Sequence, residues 1–599
     1  MLIYANSRRL STLLQPLISL GSSGVALLLV LSALLSGCGY QSLPADVIIH
    51  NATILDIDNN VNIINTDGSL SGDLQSAKGP RSTAIAIKDG RIVEVGPDRA
   101  ILNKYYAPKK VDLKTSVIYP GFMDAHAHFM GYAMGLSSAN LVGTVSWEDV
   151  LNRVEAHIEA QQLPPGAWVV GRGWDQNDWD TADGSPADFP SRFDQLEARF
   201  GEHPVLLWRV DGHAVISTGL ALEAAGFDTS TRLLGGVLLK SAFKSGSEDQ
   251  LSGLLIDRAA DSLQSCVPAL DSLRRIGLIL EAQENILAVG LTHITDAGLH
   301  RNEIELLEAL HAEGRLKLRI EAMVADTPEG LDYYLDQGVI VGDRLQVKSF
   351  KFYMDGSLGS RGAALISPYA DQLGHSGYLL QSPVEFGVKL ERLHAAGFQA
   401  ATHCIGDSAV RTTLTLYKDV LGGVNDRRWR IEHAQVVHPD DVSRFADATV
   451  IPSVQPTHAT SDMYWAGQRL GRNRVRRAYI YKDLQSQLGI LPLGTDFPVE
   501  DIAPLKTFRA ATMRTDAEGN PAGGFQPENA LDRRSALLGM TQWPALACFR
   551  ERDLGRIASG YWADFTVLDR NLLRMPTDEL ASTRVLQTWI AGEQLYKAP

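Results

Sequence analysis

Short apolar runs recur along the middle of the chain, each closed by glycine, proline or a charged residue and followed by a stretch with helical spacing. They read "WVVGRGW", "PVLLWRV", "THITDAG", "LKLRIEAMV", "VKSFKFYM", "QAATHC", "RWRIEHAQ", "TVIPSVQP" and "GILPLGTDFPV". Runs of that length are strands, and strands alternating with helices predict βαβ units around a parallel sheet. There are enough of them to close a barrel. Between about 168 and 270 the rhythm loosens, through "GGVLLK" and the polar "SAFKSGSEDQLSG", which predicts an insertion at the barrel mouth. Both ends of the chain carry a different pattern. "ADVIIHNATILDID" and "AIAIKDGRIVEVG" near the start, with Asp89 and Gly90 as a hairpin turn, match "GRIASGYWADFTVLD" and "RVLQTWIAGEQLY" near the end. Strands from the two termini are expected to pair into one small β-sandwich, 47–118 with 552–599, enclosing a barrel over 119–551.

The first residues follow another logic. Arg8 and Arg9 precede an apolar stretch from Val25 to Leu35, then small residues and Cys38, the tripartite pattern of an export signal. Leu35 to Cys38, "LSGC", resembles the lipobox of bacterial lipoproteins, in which the cysteine is diacylated. Residues 1–37 are then a removed signal, 38–46 a tether, and Cys38 a lipid anchor that holds the protein on a membrane without crossing it. A plain secretory signal or an anchoring helix is the alternative. Gly39, where aspartate is associated with inner-membrane retention, favours a periplasm-facing place on the outer membrane.

Composition narrows the function. The 599 residues carry a formal net charge of -14, so no basic footprint for nucleic acid exists and DNA or RNA partners are excluded. The four cysteines, Cys38, Cys266, Cys404 and Cys548, are too few and too scattered for a disulfide framework or a cysteine zinc site.

Candidate chemistry starts at "YPGFMDAHAHFMG". Side chains alternate along a strand, so His126 and His128 point the same way, with Asp124, and can grip one ion. His403, His433 and Asp496 also follow apolar runs. His403 and His433 are 30 residues apart, the length of about one βα unit of ~30 residues, and His433 and Asp496 are 63 apart, about two units. Counted from "DAHAH" as the first strand, His403 and His433 fall on strands five and six and Asp496 on strand eight. Strand ends at the C-terminal face are where barrel enzymes carry their active groups. "VKSFKFYMDGS" supplies strand four, on which alternation aims Lys351 inward. A buried ammonium needs a partner. Either Asp355 pairs with it, or reaction with carbon dioxide makes it an anionic carbamate.

These residues resemble the amidohydrolase superfamily, within it the amidohydrolase-3 group. The resemblance covers nearly all of the chain after the signal, through "GFMDAHAHF", "GRGWDQNDW", "DGHA", "GLTHITDAG", "KFYMDGSLGSRGAAL", "THCIGD", "RIEHAQ", "SVQPTH", "GTDFPV" and "GYWADFTVLD". It implies an α/β fold, a distorted (β/α)8 TIM barrel with a composite β-sandwich, and two divalent metal ions, most often zinc. By position, His126, His128 and Asp496 bind one ion and His403 and His433 the other, with carboxylated Lys351 as the bridge. Two ions lower the pKa of a bridging water, and Asp496 passes its proton to a leaving nitrogen. Trp174, Asp175, His213, Asp355, Arg361 and His458 are expected to face substrate, with Asn177, Trp179, Asp211 and Ser357 as weaker candidates. Gly362, where relatives commonly have threonine, is expected to enlarge the pocket. The function implied is hydrolysis of a non-peptide C-N bond, an amide, N-formyl or N-acyl group, in a small molecule. A cyclic-amide hydrolase or deaminase is the alternative in the same class, and a catalytically silent binding lipoprotein the alternative outside it. The complete ligand set argues against the last. Expected partners are a small-molecule substrate and, through Cys38, a lipid bilayer, with a homodimer as a further expectation.

Overall fold

The computed structural model describes residues 42–56, 82–179, 193–233, 235–241 and 250–599, so the export signal and Cys38 lie outside the described residues. Seven parallel strands follow one another in sequence order around the barrel wall: β1 (Phe122–Ala127), β2 (Leu291–Leu299), β3 (Arg319–Ala325), β4 (Leu345–Tyr353), β5 (Gln399–Cys404), β6 (Arg430–His433) and β7 (Ile451–Ser453). Most of their side chains are buried on both faces, as expected where helices cover a parallel sheet. Those helices are amphipathic. Ser272–Ala288, for example, is capped by Asp271, which accepts from Arg274 N, and buries Leu278, Ile279, Ala282 and Ile286 at helical spacing.

"GILPLGTDFPV" does not form the regular strand its pattern predicts. Irregular backbone from Pro492 to Asp496 closes the ring instead. Val454 N donates to Pro492 O (3.1 Å) and Gly494 N to Val454 O (3.0 Å) on the β7 side; on the other, Ala125 N donates to Leu493 O (3.1 Å) and Asp496 N to His126 O (2.8 Å). Pro492 and Pro498 have no N–H to add to a ladder, and Asp496 has φ +62, so the segment pairs without being extended.

The insertion occupies the β1-to-β2 connection and is a sheet of its own. Its strands lie in the order Ala139–Asn140, Val169–Trp174, Val205–Arg209, Ala214–Ser217, Gln250–Asp257, Gly236–Ser241. It therefore starts at Ala139 rather than near 168, and the runs "WVVGRGW" and "PVLLWRV" belong to it and not to the barrel. The reason is local equivalence: these two strands are also parallel and covered, by helix Trp147–Gln161 on one face and by helices Gly219–Ala224 and Arg258–Gln264 on the other.

The termini combine. Val117–Pro120 runs antiparallel to Phe565–Leu568, with Pro120 opposite Phe565, in a five-stranded sheet that includes Val585–Ile590 and Glu593–Lys597. It packs on a four-stranded sheet containing Val47–His50 and Ala84–Lys88, through Ile49, Ile85, Ile87, Ile118, Phe565 and Trp589. A buried bidentate ion pair fastens the sandwich to the barrel: Asp564 Oδ2 to Arg319 Nε (2.6 Å) and Oδ1 to Arg319 Nη2 (3.0 Å).

Inside the barrel, Glu321 accepts from Gln346 Nε2 (2.7 Å) and Ser349 Oγ (3.2 Å). Burial outweighs these contacts and pushes its carboxyl up from 4.5 to about 8. Between those two values the folded chain holds a proton that the unfolded chain has released, so Glu321 makes stability fall as pH rises from 4.5 to 8. Glu321→Gln should flatten this slope, by up to about 1.4 kcal/mol per pH unit. Urea midpoints across that range test it; an unchanged slope would count against a protonated Glu321.

Candidate metal centre

The site is built where the closing segment meets β1. A Cβ on Gly494 would lie 2.6 Å from His126 N and 2.8 Å from His126 O, so only glycine allows the approach. Asp124 fixes it from the β1 side, accepting from His126 N (3.0 Å), Thr495 N (3.1 Å) and Thr495 Oγ1 (2.8 Å). Asp496 is thereby brought to both histidines of β1: its Oδ1 is 3.1 Å from His128 Nε2 and 3.6 Å from His126 Nε2. Lys351 Nζ, from β4, lies 3.0 Å from His126 Nε2. It does not pair with Asp355. The rings of His403 and His433 are 4.6 Å apart, and that of His433 is 4.9 Å from that of His126. The six expected ligands, His126, His128, Lys351, His403, His433 and Asp496, thus converge. Two triads have all their donor atoms within 4.8 Å of one another: His126, His128, Asp496 and His433, His458, Asp496. The second brings in His458, expected to face substrate; its Nε2 is 3.5 Å from Asp496 Oδ2. Both Asp496 (φ +62) and His433 (φ +72) hold left-handed backbone, where side chains other than glycine are strained.

The far ring nitrogens are held by groups that sequence reasoning missed. His126 Nδ1 meets Glu432 Oε2 (2.7 Å), His128 Nδ1 meets Ala297 O (2.9 Å), and His433 Nδ1 meets Gln455 Oε1 (2.7 Å). Glu432 is fully buried and paired through Oε1 with Arg430 Nε at 2.6 Å. Its one sequence signal is an Arg-x-Glu spacing inside the apolar strand "RIEH", which puts both side chains on one face.

Burial and neighbours set the charges. Burial, with the nearby Lys351 charge, lowers His126 to about 4, and holds His403 and His433 well below the usual imidazole range. These rings are neutral at pH 7, with lone pairs to offer. Burial brings Lys351 down to about 8, against the attraction of Glu432 and Asp496. Burial would raise Asp496, but His128, 3.1 Å away, holds it well below the usual carboxylate range. Asp496 Oδ1, although near His128, is out of line for a hydrogen bond, and both it and His458 Nε2 are buried without a partner. Neutral imidazole nitrogens, an ionised carboxylate and buried acceptors left unsatisfied fit a divalent cation such as zinc.

The cluster opens into a cavity of about 1440 Å³ between the barrel and the inserted sheet. Asp175, His213 and His458 line it. His213 is 6.2 Å from the His403 ring and is held through Nδ1 by Asp257 Oδ1 (2.9 Å). Three expected substrate contacts lie elsewhere. Trp174 is fully buried in the core of the inserted sheet, donating to Leu207 O (2.8 Å), because its volume fills the space under helix Trp147–Gln161; Trp179 packs against it. Asp355 sits behind the cavity wall, 3.7 Å from His403 Nε2, and accepts from the backbone N–H groups of Ala364, Ile405 and Gly406, so it shapes the loops after β4 and β5. Arg361 pairs with Asp371 away from the cavity. Gly362 packs on Gly356 outside the cavity lining, so its missing side chain enlarges nothing. Cys404 points away from the metal cluster, to Thr413 Oγ1 (3.2 Å).

The amidohydrolase family model matches residues 109–596. Protein LONG AFTER FAR-RED 3 of Arabidopsis thaliana is 29% identical over 573 residues, covering 92% of both chains. N-substituted formamide deformylase of Arthrobacter pascens is 25% identical over 549 residues, covering 87% of this chain and 96% of its own. Among solved structures, an uncharacterized metal-dependent hydrolase from Pyrococcus horikoshii has a TM-score of 0.67 at 26% identity, covering 89% of this chain and 99% of that one.

Removing the charge behind His126 should loosen the site without removing a ligand. Glu432→Gln is expected to weaken divalent-metal affinity about 10- to 100-fold. Competition with a fluorescent chelator measures this; unchanged affinity would mean that Glu432 only neutralises Arg430.

Proposed function

The chain belongs to the amidohydrolase family, and from that premise we propose that it hydrolyses a non-peptide C-N bond, in an amide, N-formyl or N-acyl group of a small molecule. The observation that carries this reading is the unpartnered Asp496 Oδ1, held ionised among neutral imidazoles at the cavity floor. The printed name of the Arthrobacter pascens relative, an N-substituted formamide deformylase, supports the N-formyl member of the class.

His126, His128 and Asp496 hold one divalent ion in this proposal, and His403 and His433 a second, with His458 within reach of Asp496. Zinc suits the imidazole and carboxylate set best. Bound there, the ions supply Lewis acidity for the substrate carbonyl and for the attacking water. Asp496 accepts a proton from that water as its oxygen bonds to the carbonyl carbon, then gives the proton to nitrogen as the C-N bond breaks. Its depressed pKa keeps it a base at neutral pH. The imidazoles of His126 and His128 are kept in one tautomer each by Glu432 and Ala297 O, so Nε2 of each faces Asp496, and Gln455 holds Nδ1 of His433.

Lys351 fits the bridging role as a carbamate: its neutral amine bonds to the carbon of carbon dioxide and loses one proton, leaving an anion. Burial favours the neutral amine by bringing it to about 8. Replacing the ammonium by an anion also removes the cost of a cation beside three imidazoles.

We further place the protein on the periplasmic side of an outer membrane, carried there by acylated Cys38. The "LSGC" segment supports this. Cys38→Ser should shift the protein from the detergent-rich to the aqueous phase on partitioning; no shift would argue for a plain secretory signal.

Purified with zinc or manganese and assayed on N-formyl and N-acyl amines, the chain should carry about two metal ions. Asp496→Asn is expected to lower kcat by about 10²- to 10⁴-fold. Lys351→Ala should lower metal content, with partial recovery in short carboxylic acids. Full activity in Asp496→Asn, or less than one ion per reconstituted chain, would sink the hydrolase reading; unaltered metal content in Lys351→Ala would remove the carbamate bridge.

A further inference from the structure

Two guanidinium groups stand on neighbouring strands of the inserted sheet, and their surroundings differ. Arg209, ending Val205–Arg209, is buried and fully engaged: Asp175 Oδ1 accepts from Nη2 (2.6 Å), Gln176 Oε1 from Nε (2.8 Å), and Asp211 pairs with Nη1. Arg172, on Val169–Trp174, has one protein hydrogen bond, from Nη2 to Val210 O (3.2 Å). Its Nε is buried without an acceptor, and no described carboxylate forms an ion pair with it. The group lines the same cavity as Lys351, His403 and Asp496.

The surroundings are arranged for this placement. Gly212, with φ +71, forms the turn beneath the guanidinium, and a Cβ there would lie 3.1 Å from Arg172 Nη2. A side chain at that position would crowd Arg172 off the turn. The same turn presents His213 to the cavity, and Ser357 Oγ donates to Asp211 (3.0 Å), which ties the turn to the loop after β4. The distance between Arg172 and the metal cluster is therefore set by the fold.

A guanidinium cannot shed its proton; that of Arg172, half-buried in the cavity wall, feels the charges of Asp211 and Asp496 but bonds to no carboxylate among the described residues. Nearby carboxylates are already committed. Asp211 and Asp175 serve Arg209, Asp257 serves His213 and Tyr378, and Asp496 serves the metal cluster. What Arg172 lacks is an acceptor in contact with its remaining N–H donors, and that place is left for the ligand. We infer that Arg172 binds a carboxylate of the substrate, which makes the substrate class N-acyl or N-formyl amino acids and related amido acids rather than neutral amides. The planar fork of N–H donors meets a carboxylate edge to edge, and the scissile amide then lies against the metal cluster. This rests on the hydrolase reading above, and the test keeps the two apart.

N-formyl-leucine and N-formyl-3-methylbutylamine differ only in the carboxylate. With the metal-loaded chain, both equilibrium binding and kcat/KM are measured for each probe. The wild-type chain should favour the carboxylate probe about 10- to 100-fold, the range of charge-assisted hydrogen bonds. Arg172→Met should abolish that preference, the loss falling on the carboxylate probe by about 10- to 100-fold more than on the neutral one; Arg172→Lys should keep part of it. Equal binding of both probes by the wild type overturns the inference, as does no binding of the carboxylate probe at millimolar concentration. An equal loss on both probes in Arg172→Met, in a variant with the wild-type melting temperature, also overturns it, since that marks a structural or general catalytic role. Preferential binding without hydrolysis of either probe supports the carboxylate site while failing the hydrolase reading.

Discussion

The centre of this molecule depends on one close approach of backbone to backbone. Where Gly494 passes β1, there is no room for a methyl group. That contact closes the barrel with a segment that is not a strand, and it turns Asp496 toward His126 and His128. The Asp124 carboxylate holds the two segments together, accepting from Thr495 N and Thr495 Oγ1 across the seam and from His126 N on its own strand. Ring closure and ligand placement are thus a single event, and the left-handed backbone at Asp496 and His433 is the local strain that accompanies it.

Around that seam the molecule divides its work. The barrel supplies nitrogen and oxygen ligands from strand ends and fixes their orientation with buried acceptors such as Glu432 and Gln455. The inserted sheet supplies the opposite wall, with Arg172, His213 and Asp257. Its large aromatic residues stay in its own core, so its polar turns are what meet the cavity. A protein of this plan can change what it binds by altering the insertion while the chemistry at β1, β4, β5 and β6 is left intact.

The barrel was legible because each strand is a short apolar run, and the convergence of His126, His128, Lys351, His403, His433 and Asp496 because these residues lie at or near the ends of those runs at spacings set by βα units. The start of the insertion was not, since it opens on the two-residue strand Ala139–Asn140 and the amphipathic helix Trp147–Gln161, whose spacing is that of any helix covering a barrel. Trp174 drew attention by its chemistry but serves by its volume. Asp355 lies two strand periods beyond Lys351 and so shares its face by pattern, yet its carboxylate answers three backbone amides that only the folded loops bring together. Glu432 and Ala297 O belong to other strands than the histidine each one holds, so no spacing along β1 could have revealed them. Arg172 lies between two glycines of a motif whose tryptophan and aspartate seemed its active part.

The pairing of Val117–Pro120 with Phe565–Leu568 joins residues near both ends of the chain; Phe122 N, just beyond it, donates to the Thr566 hydroxyl across 444 residues. During synthesis the first of these strands emerges early and must wait for its neighbour until almost the whole chain is out. A copy cut short before Phe565 keeps an open sheet edge at the doorway of the barrel, the kind of edge that recruits other chains. Completeness of the polypeptide is in this way a condition written into the sheet that joins its two ends.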